Sequence, residues 1–359
     1  MSPLLCKSKR KLKIFCFLCL MAFLLAYSQR KDFLKCVYNR DENLLFWCND
    51  EKRSNIEEGD AITSVSTAHV MISLVNLDQH ENVLDDMRVC MPSLCNYSSI
   101  QITLHIVTDM KSKAKVSDVV RGLGRNFCKG ILNVKYHDIE VLAEQIQPSL
   151  MKVFETFFTA GSRSYYSGAL FFLSIVSHQL FPRLSKLIFI DADVKFRADV
   201  RKLWSQFEKF SAINMIGISY EHQPVYRHVL NTYRQQYPKT NIGSPPPEGN
   251  PGFNSGVILL DLTRMRNSAM YREYLSQSSR IRSLCEKYYF KGHLGDQDFY
   301  TLLGFEQPDI FYVLPCTWNR QLCTWWKDNG YREVFHMYHK CDGYVNLYHG
   351  NCGTAIPYD

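Results

Sequence analysis

Apolar and polar positions along the chain alternate between short, densely apolar runs and longer stretches in which apolar residues recur every three or four positions. Residues 69–75 (HVMISLV), 100–109 (IQITLHIVTD) and 131–137 (ILNVKYH) read as strands. A helical pattern through Leu84, Met87, Cys90 and Leu94 separates the first two, and a shorter one over 116–123 precedes the third. Strand, helix, strand is a βαβ unit, the start of an α/β domain. Residues 150–180 read as mostly helical, broken near Gly161, and lead into residues 187–190 (LIFI), a strand apolar at every position, as expected of one covered on both faces in a parallel sheet. After it come an amphipathic segment through Val200, Leu203, Trp204 and Phe207, a strand over 215–219 and a strand over 253–261. One helix then runs through Met265, Tyr271 and Leu275, and another through Leu302 and Leu303. Between these, residues 243–252 (GSPPPEGNPG) must be a loop, because proline removes backbone donors and glycine loosens the chain. No internal repeat is present.

Composition sharpens the layout. At 359 residues and 46% hydrophobic content the chain can bury one large core, which the pattern starts at Ala68. The net charge of +7 owes much to Lys7, Lys9, Arg10, Lys11 and Lys13, which precede any acidic residue, so it speaks to membrane topology and not to nucleic acid. Residues 14–27 (IFCFLCLMAFLLAY) carry no charge, fall short of the roughly 20 residues of a usual span, and lack an A-x-A cleavage pattern after them. This reads as an uncleaved type II signal anchor: residues 1–13 a cytosolic tail, 14–27 the anchor, 28–67 a polar stem, and 68–359 a lumenal domain. The thin membrane such an anchor suits is the endoplasmic reticulum's, with the Golgi as the alternative.

The cysteines fit that compartment. Cys316, Cys323, Cys341 and Cys352 crowd into the tail without a C-x-x-C zinc spacing, so residues 316–359 read as a disulfide-stapled segment. Connectivity is not readable from the sequence; of the three pairings we take Cys316 with Cys341 and Cys323 with Cys352. The sequon Asn96-Tyr97-Ser98 agrees with lumenal exposure.

Candidate chemistry begins at Asp191 and Asp193. Two carboxylates at i and i+2 beyond the end of an apolar strand can grip one divalent cation, and ligands of open α/β sheets bind beyond strand ends, so Asp-Ala-Asp suggests a metal that holds a diphosphate. Asn254, Ser255 and Gly256 open the strand at 253: the glycine would let a ligand approach the backbone, and the Asn and Ser could bond sugar hydroxyls. Asp296 stands where it would cap the helix that follows. Tyr165 and Tyr166 begin the last helix of the 150–180 stretch, where a helix N-terminus can meet a phosphate or a base.

Taken in order, Asp191-Ala192-Asp193, Phe253-Asn254-Ser255-Gly256-Val257, Leu294-Gly295-Asp296-Gln297-Asp298 and His349-Gly350 resemble the motifs of retaining glycosyltransferases of family 8. The likeness covers roughly Ala68 to the C-terminus. It is closer still to xylose-transferring members through residues 223–228 (QPVYRH), 245–249 (PPPEG), 316–326 (CTWNRQLCTWW) and 348–352 (YHGNC).

The resemblance implies a Rossmann-like GT-A fold with a mixed central sheet, a Mn²⁺ ion, UDP-xylose as donor, and an acceptor xylose–glucose O-linked to epidermal growth factor-like repeats such as those of Notch. By carry-over Asp191, Asp193 and His349 are the metal ligands, a donor set suited to Mn²⁺. Ser73, Leu74 and Val75 would hold uracil and ribose, and Ala192, Ser255, Gly256, His293, Leu294 and Gly295 would complete the donor site. Asp296 would bind sugar hydroxyls, with Asn254 beside it. Gln297 would lie on the β face of the anomeric carbon. A glutamine is a poor nucleophile, so same-face attack is expected over a covalent intermediate on Asp296. Trp325, Trp326, Asn351 and Gln223 are the acceptor-side candidates, since aromatic faces and amides suit a sugar. Many family members carry a lysine a few residues past His-Gly; residues 351–357 here contain none, leaving the β-phosphate to backbone amides or the metal. Three rivals stand beside this reading: a sibling transferase using another donor (UDP-glucose, UDP-galactose) or adding xylose directly to O-glucose, a nucleotide-sugar hydrolase, and a non-catalytic sugar-binding lumenal protein.

Overall fold

The computed structural model describes residues 67–79, 82–128, 130–159 and 165–357, with the backbone alone for 165–167. The expected tail, anchor and most of the stem lie outside the described residues, as do the side chains of Tyr165 and Tyr166. Among the described residues no helix is long and apolar enough to cross a membrane.

The domain is built on a seven-stranded sheet, order β3-β2-β1-β4-β7-β6-β8. The strands are β1 (Thr67–Leu74), β2 (Gln101–Thr108), β3 (Leu132–Asp138), β4 (Lys186–Ile190), β6 (Ile216–Tyr220), β7 (Phe253–Asp261) and β8 (Phe311–Val313). A small second sheet joins β5 (Val194–Phe196), β10 (Leu347–His349) and β9 (Arg320–Gln321), in that order. Helices cover both faces. Leu187 and Phe189 of β4 point into one core with the helices Pro148–Phe158, Leu173–Leu180 and Asp296–Glu306, whereas Ile188 and Ile190 point into the other with the helices Asn82–Asn96 and Lys113–Phe127. That double burial is why residues 187–190 of the strand are all apolar, with Lys186 at its less buried start.

The sheet is mixed, not parallel throughout. β1 pairs parallel to β2 and β4, but β7 runs antiparallel to both β4 and β6. Two local expectations change as well. The single helix through Met265, Tyr271 and Leu275 is two short ones, Leu262–Asn267 and Ala269–Ser276, because Ser268 turns out of the first and caps the second by accepting from Tyr271 N–H, and a further helix, Ser278–Lys287, follows. Asp296 is not the cap of its helix: Gly295 holds that position with φ 64°, where an added Cβ would stand 2.7 Å from Phe171 Cβ.

The structure closes Cys316–Cys341 and Cys323–Cys352, the pairing taken above, together with Cys95–Cys128, which spacing had not suggested.

Three imidazoles line up across the sheet edge. His69 Nδ1 meets His105 Nε2 at 3.1 Å, and His105 Nδ1 meets His137 Nε2 at 3.0 Å, with Phe181 edge-on to His137. One hydrogen satisfies each link, so an added proton has no acceptor between the rings. Burial pushes His105 down to about 3 and His137 down to about 4, with Lys135 acting in the same direction. In the unfolded chain these rings protonate near pH 6.5, so below that pH the unfolded state binds more protons and stability falls with pH, down to the folded values. By about pH 5 His105 alone accounts for roughly 2 kcal/mol. Thermal unfolding should show a midpoint several degrees lower at about pH 5 than at about pH 7, with a shallower fall in His105→Leu.

Candidate active site

Because β7 opposes its neighbours, its first residues meet the carboxyl ends of β4 and β6. Val257 pairs with Ile190, Asn254 with Ser219, and Phe253 with Tyr220. The chain leaves β4 at Ile190 and turns through Asp191, Ala192 and Asp193 before entering β5, and Asp191 N–H donates to Gly256 O at 3.0 Å. The small sheet brings in the tail: His349 pairs with Val194, and Gly350 N–H donates to Asp193 O at 2.7 Å. His349 Nε2 thereby stands 3.5 Å from Asp191 Oδ2 and 3.4 Å from Asp193 Oδ1. One candidate ligand atom from each of the three lies within 4.8 Å of the others.

This cluster fits a divalent cation. Burial alone would lower the His349 pKa, but the Asp193 carboxylate and then Asp191 carry it up to about 10, so a proton answers the charge of the pair when nothing else does. The ring's other nitrogen is engaged: His349 Nδ1 lies 3.0 Å from Asn319 Oδ1, while Asn319 Nδ2 donates to Asn254 Oδ1 at 2.9 Å. Since that amide turns its oxygen to the ring, Nδ1 carries one hydrogen and the proton held between Nε2 and the carboxylates is the one a cation would displace, freeing the Nε2 lone pair as a metal-binding histidine requires. The ring rests on Gly256, where an added Cβ would lie 2.2 Å from its Cε1. Gly256 therefore makes room for the imidazole, where the sequence reading had it open to a ligand.

Asn254 also departs from its expected role. Its Nδ2 donates to Glu221 Oε2 at 3.1 Å and its Oδ1 accepts from Gly256 N–H and Asn319 Nδ2, so both ends of the amide are engaged by the protein. Glu221 is buried just past β6 and accepts from Gln297 Nε2 at 3.2 Å and from Gln223 N–H at 3.1 Å. Gln297 Oε1 in turn accepts from Ser255 N–H at 3.2 Å. Burial lifts Glu221 up to about 7 against the pull of its donors.

Asp296 accepts from the hydroxyls of Ser174 and Ser255, and Ser174 is itself bonded by Tyr300 Oη at 3.2 Å. Burial, aided by the nearby Asp191 charge, raises its carboxyl to about 7. Asp298 accepts from Tyr226 Oη at 2.9 Å and Leu294 N–H at 2.7 Å, which fixes the His293-Leu294-Gly295 turn in front of Asp296 and Gln297.

At the end of β1, Ser73 Oγ is buried with no hydrogen-bond partner among the described residues, and Leu74 and Val75 are buried beside it. The loop that follows is anchored by Asp109, which accepts from Asn76 N–H at 2.7 Å, while Leu77 N–H donates to Ser112 Oγ.

Of the residues expected to meet an acceptor, Trp325 is 56% exposed and packs edge-on to Trp326, which lies 4.8 Å from the His228 ring and 5.3 Å from Tyr331. Gln223 is buried, with Oε1 lacking a partner among the described residues. Asn351 Oδ1 accepts from Leu322 and Cys323 N–H, both at 3.0 Å, so this side chain ties the tail to the β9 loop.

Two residues of the site escaped the sequence reading. Asn319 lies within residues 316–326, and nothing in its type or spacing singles it out. Glu221 lies directly beyond an apolar strand, the position that had drawn attention to Asp191, but as a lone acid it carried no pattern.

A family model described as Glycosyl transferase family 8 matches residues 29–339 of the chain. The chain is 41% identical over 307 residues to xyloside xylosyltransferase 1 of Mus musculus, covering 84% of this chain and 78% of that relative. It is also 41% identical over 300 residues to xyloside xylosyltransferase 1 of Homo sapiens, covering 81% and 75%. The crystal structure of mouse xyloside xylosyltransferase 1 in its apo form superposes with a TM-score of 0.76, covering 81% of this chain and 100% of that one.

Proposed function

The chain belongs to glycosyl transferase family 8, and from that premise we propose that it transfers xylose from UDP-xylose, with retention and in α-1,3 linkage, to the xylose of xylose–glucose O-linked to epidermal growth factor-like repeats. The observation that carries this reading is the meeting of Asp191, Asp193 and His349 at one point beyond β4. The names of the mouse and human relatives support the sugar, and the exposed Trp325 beside Trp326 supports a carbohydrate acceptor.

Asp191, Asp193 and His349 would hold Mn²⁺, which when bound supplies Lewis-acid stabilisation of the charge on the departing diphosphate. Ser73, Leu74 and Val75 would receive the nucleoside, with the orphaned Ser73 hydroxyl as a hydrogen-bonding partner. Asp296, held by Ser174 and Ser255, would bind the hydroxyls of xylose. The acceptor hydroxyl would attack the anomeric carbon from the face the diphosphate leaves, its proton passing to the leaving phosphate oxygen as the bond to UDP breaks with its electron pair. Gln297 would stabilise the positive charge that develops on the sugar. Trp325 and Trp326 would stack against the acceptor. The same reading anchors the chain in the endoplasmic reticulum membrane with this domain in the lumen, in keeping with the three disulfides among the described residues.

The test is mass spectrometry of a folded epidermal growth factor-like repeat bearing xylose–glucose, incubated with the protein, UDP-xylose and Mn²⁺. A gain of one pentose on the xylose is expected. Transfer of a hexose instead, pentose addition to a repeat bearing only glucose, or donor hydrolysis at a rate indifferent to acceptor would each overturn the reading.

A further inference from the structure

We propose that Glu221, a residue with no place in the motifs, is a positioning residue that sets which end of the Gln297 amide faces the anomeric carbon. The inference rests on the reading that Gln297 acts at that carbon.

The orientation follows from donors and acceptors. Gln297 touches Ser255 N–H, which can only donate, and the Glu221 carboxylate, which when ionised can only accept. A donor on one side and an acceptor on the other leave the amide one arrangement, oxygen toward Ser255 and nitrogen toward Glu221. The carboxylate is held in its accepting role by two further donors, Asn254 Nδ2 on the same oxygen and Gln223 N–H on the other. Asn254 cannot turn to relieve it, because its own oxygen receives Gly256 N–H and Asn319 Nδ2. The orientation thus runs through side chains from His349 by way of Asn319, Asn254 and Glu221 to Gln297.

The consequence is electrostatic. A carbonyl oxygen facing a carbon that gains positive charge stabilises it, whereas an amide nitrogen with its hydrogens would oppose it. Glu221 touches no substrate in this scheme; it decides the sign of the dipole that does. Above about pH 7, where the buried carboxylate is ionised, its charge adds in the same direction.

Glu221→Gln is the informative variant, since it keeps size and offers one oxygen and one NH₂ to three donors. One donor must then face another, and the Gln297 amide can reverse. We expect kcat to fall roughly 10- to 100-fold with KM for UDP-xylose changed less than about twofold, a split that general loosening of the site would not produce. On a Gln297→Ala background the same change should cost no more than about twofold, because the group it orients is gone. Should Glu221→Gln not fold, Glu221→Asp, which keeps both oxygens but draws them back by one methylene, runs the same cycle. A loss from Glu221 substitution that multiplies fully on Gln297→Ala, or one carried by KM alone, overturns this proposal and leaves the role of Gln297 standing. Full activity in Gln297→Ala would instead remove that role, and this inference with it.

Discussion

An Asp193→Asn variant is expected to lose about a thousandfold in kcat/KM for xylosyl transfer, while its thermal midpoint falls only slightly. The loss corresponds to about 4 kcal/mol, the several kcal/mol that a cation beside a departing diphosphate supplies. Asparagine keeps the shape and an oxygen but removes the charge that draws both the cation and the His349 proton. Asp193 is the partly buried member of the pair, its side chain 25% exposed against 52% for Asp191, so its charge is the less screened and the more consequential. The small expected change in stability follows from the backbone. Asp193 O, not its carboxylate, accepts Gly350 N–H, and β5 stays paired to β10 whatever the side chain carries. In the protein without metal, burial would raise the Asp193 carboxyl but the protonated His349 holds it below its usual range, so removing that charge loses some of the attraction, with Asp191 left to face the imidazole. Activity titrated with Mn²⁺ and compared with thermal unfolding separates these effects. A thousandfold loss that tracks a large drop in the midpoint, or retained activity at low Mn²⁺, would deny the carboxylate its role.

Much of this site could be read from residue order. The apolar run 187–190 was a buried strand because every position was apolar, and its end was a site because two acids followed it. Strands 253–261 and 215–219, the proline-rich loop and the disulfide-stapled character of the tail, though not its pairing, were legible for the same reason: each departs strongly from its surroundings in composition. Direction was not legible. Nothing in the pattern of β7 says that it runs against β4, yet that reversal brings Asn254, Ser255 and Gly256 to the acidic turn. His349 follows an unremarkable stretch, and only the resemblance tied it to acids far upstream. Periodicity also cannot say whether a polar residue near a site faces the ligand or the protein. Asn254 was assigned to a sugar because its type suits one, and the structure turns it to Glu221 and Asn319. Glu221, Asn319 and Cys95–Cys128 were missed because each works through a partner distant in sequence.

Gly256→Ala should be the most revealing single-methyl change in the protein, costing roughly 10- to 100-fold in apparent Mn²⁺ affinity and in transfer at limiting metal. Gly256 has no positive φ, so alanine meets no backbone objection there and would pair normally in β7. Its cost is confined to the face where the new methyl would stand 2.2 Å from His349 Cε1, 2.4 Å from Nδ1 and 2.8 Å from Nε2, distances that no side chain tolerates. The imidazole must move, and two of its three constraints then fail together. Nδ1 leaves Asn319, which fixed the tautomer, and Nε2 leaves the point where the two carboxylates meet. The backbone of β10 offers little slack, because His349 is paired on both sides, to Val194 and to Gln321. Coupling decides whether this account is right. Thermal unfolding of Gly256→Ala should show a clear loss of stability that largely disappears when His349→Ala is added, since the second change removes the ring the methyl strikes. An undiminished loss in the double variant would mean that Gly256 serves the strand itself, and that the imidazole does not depend on the space it leaves.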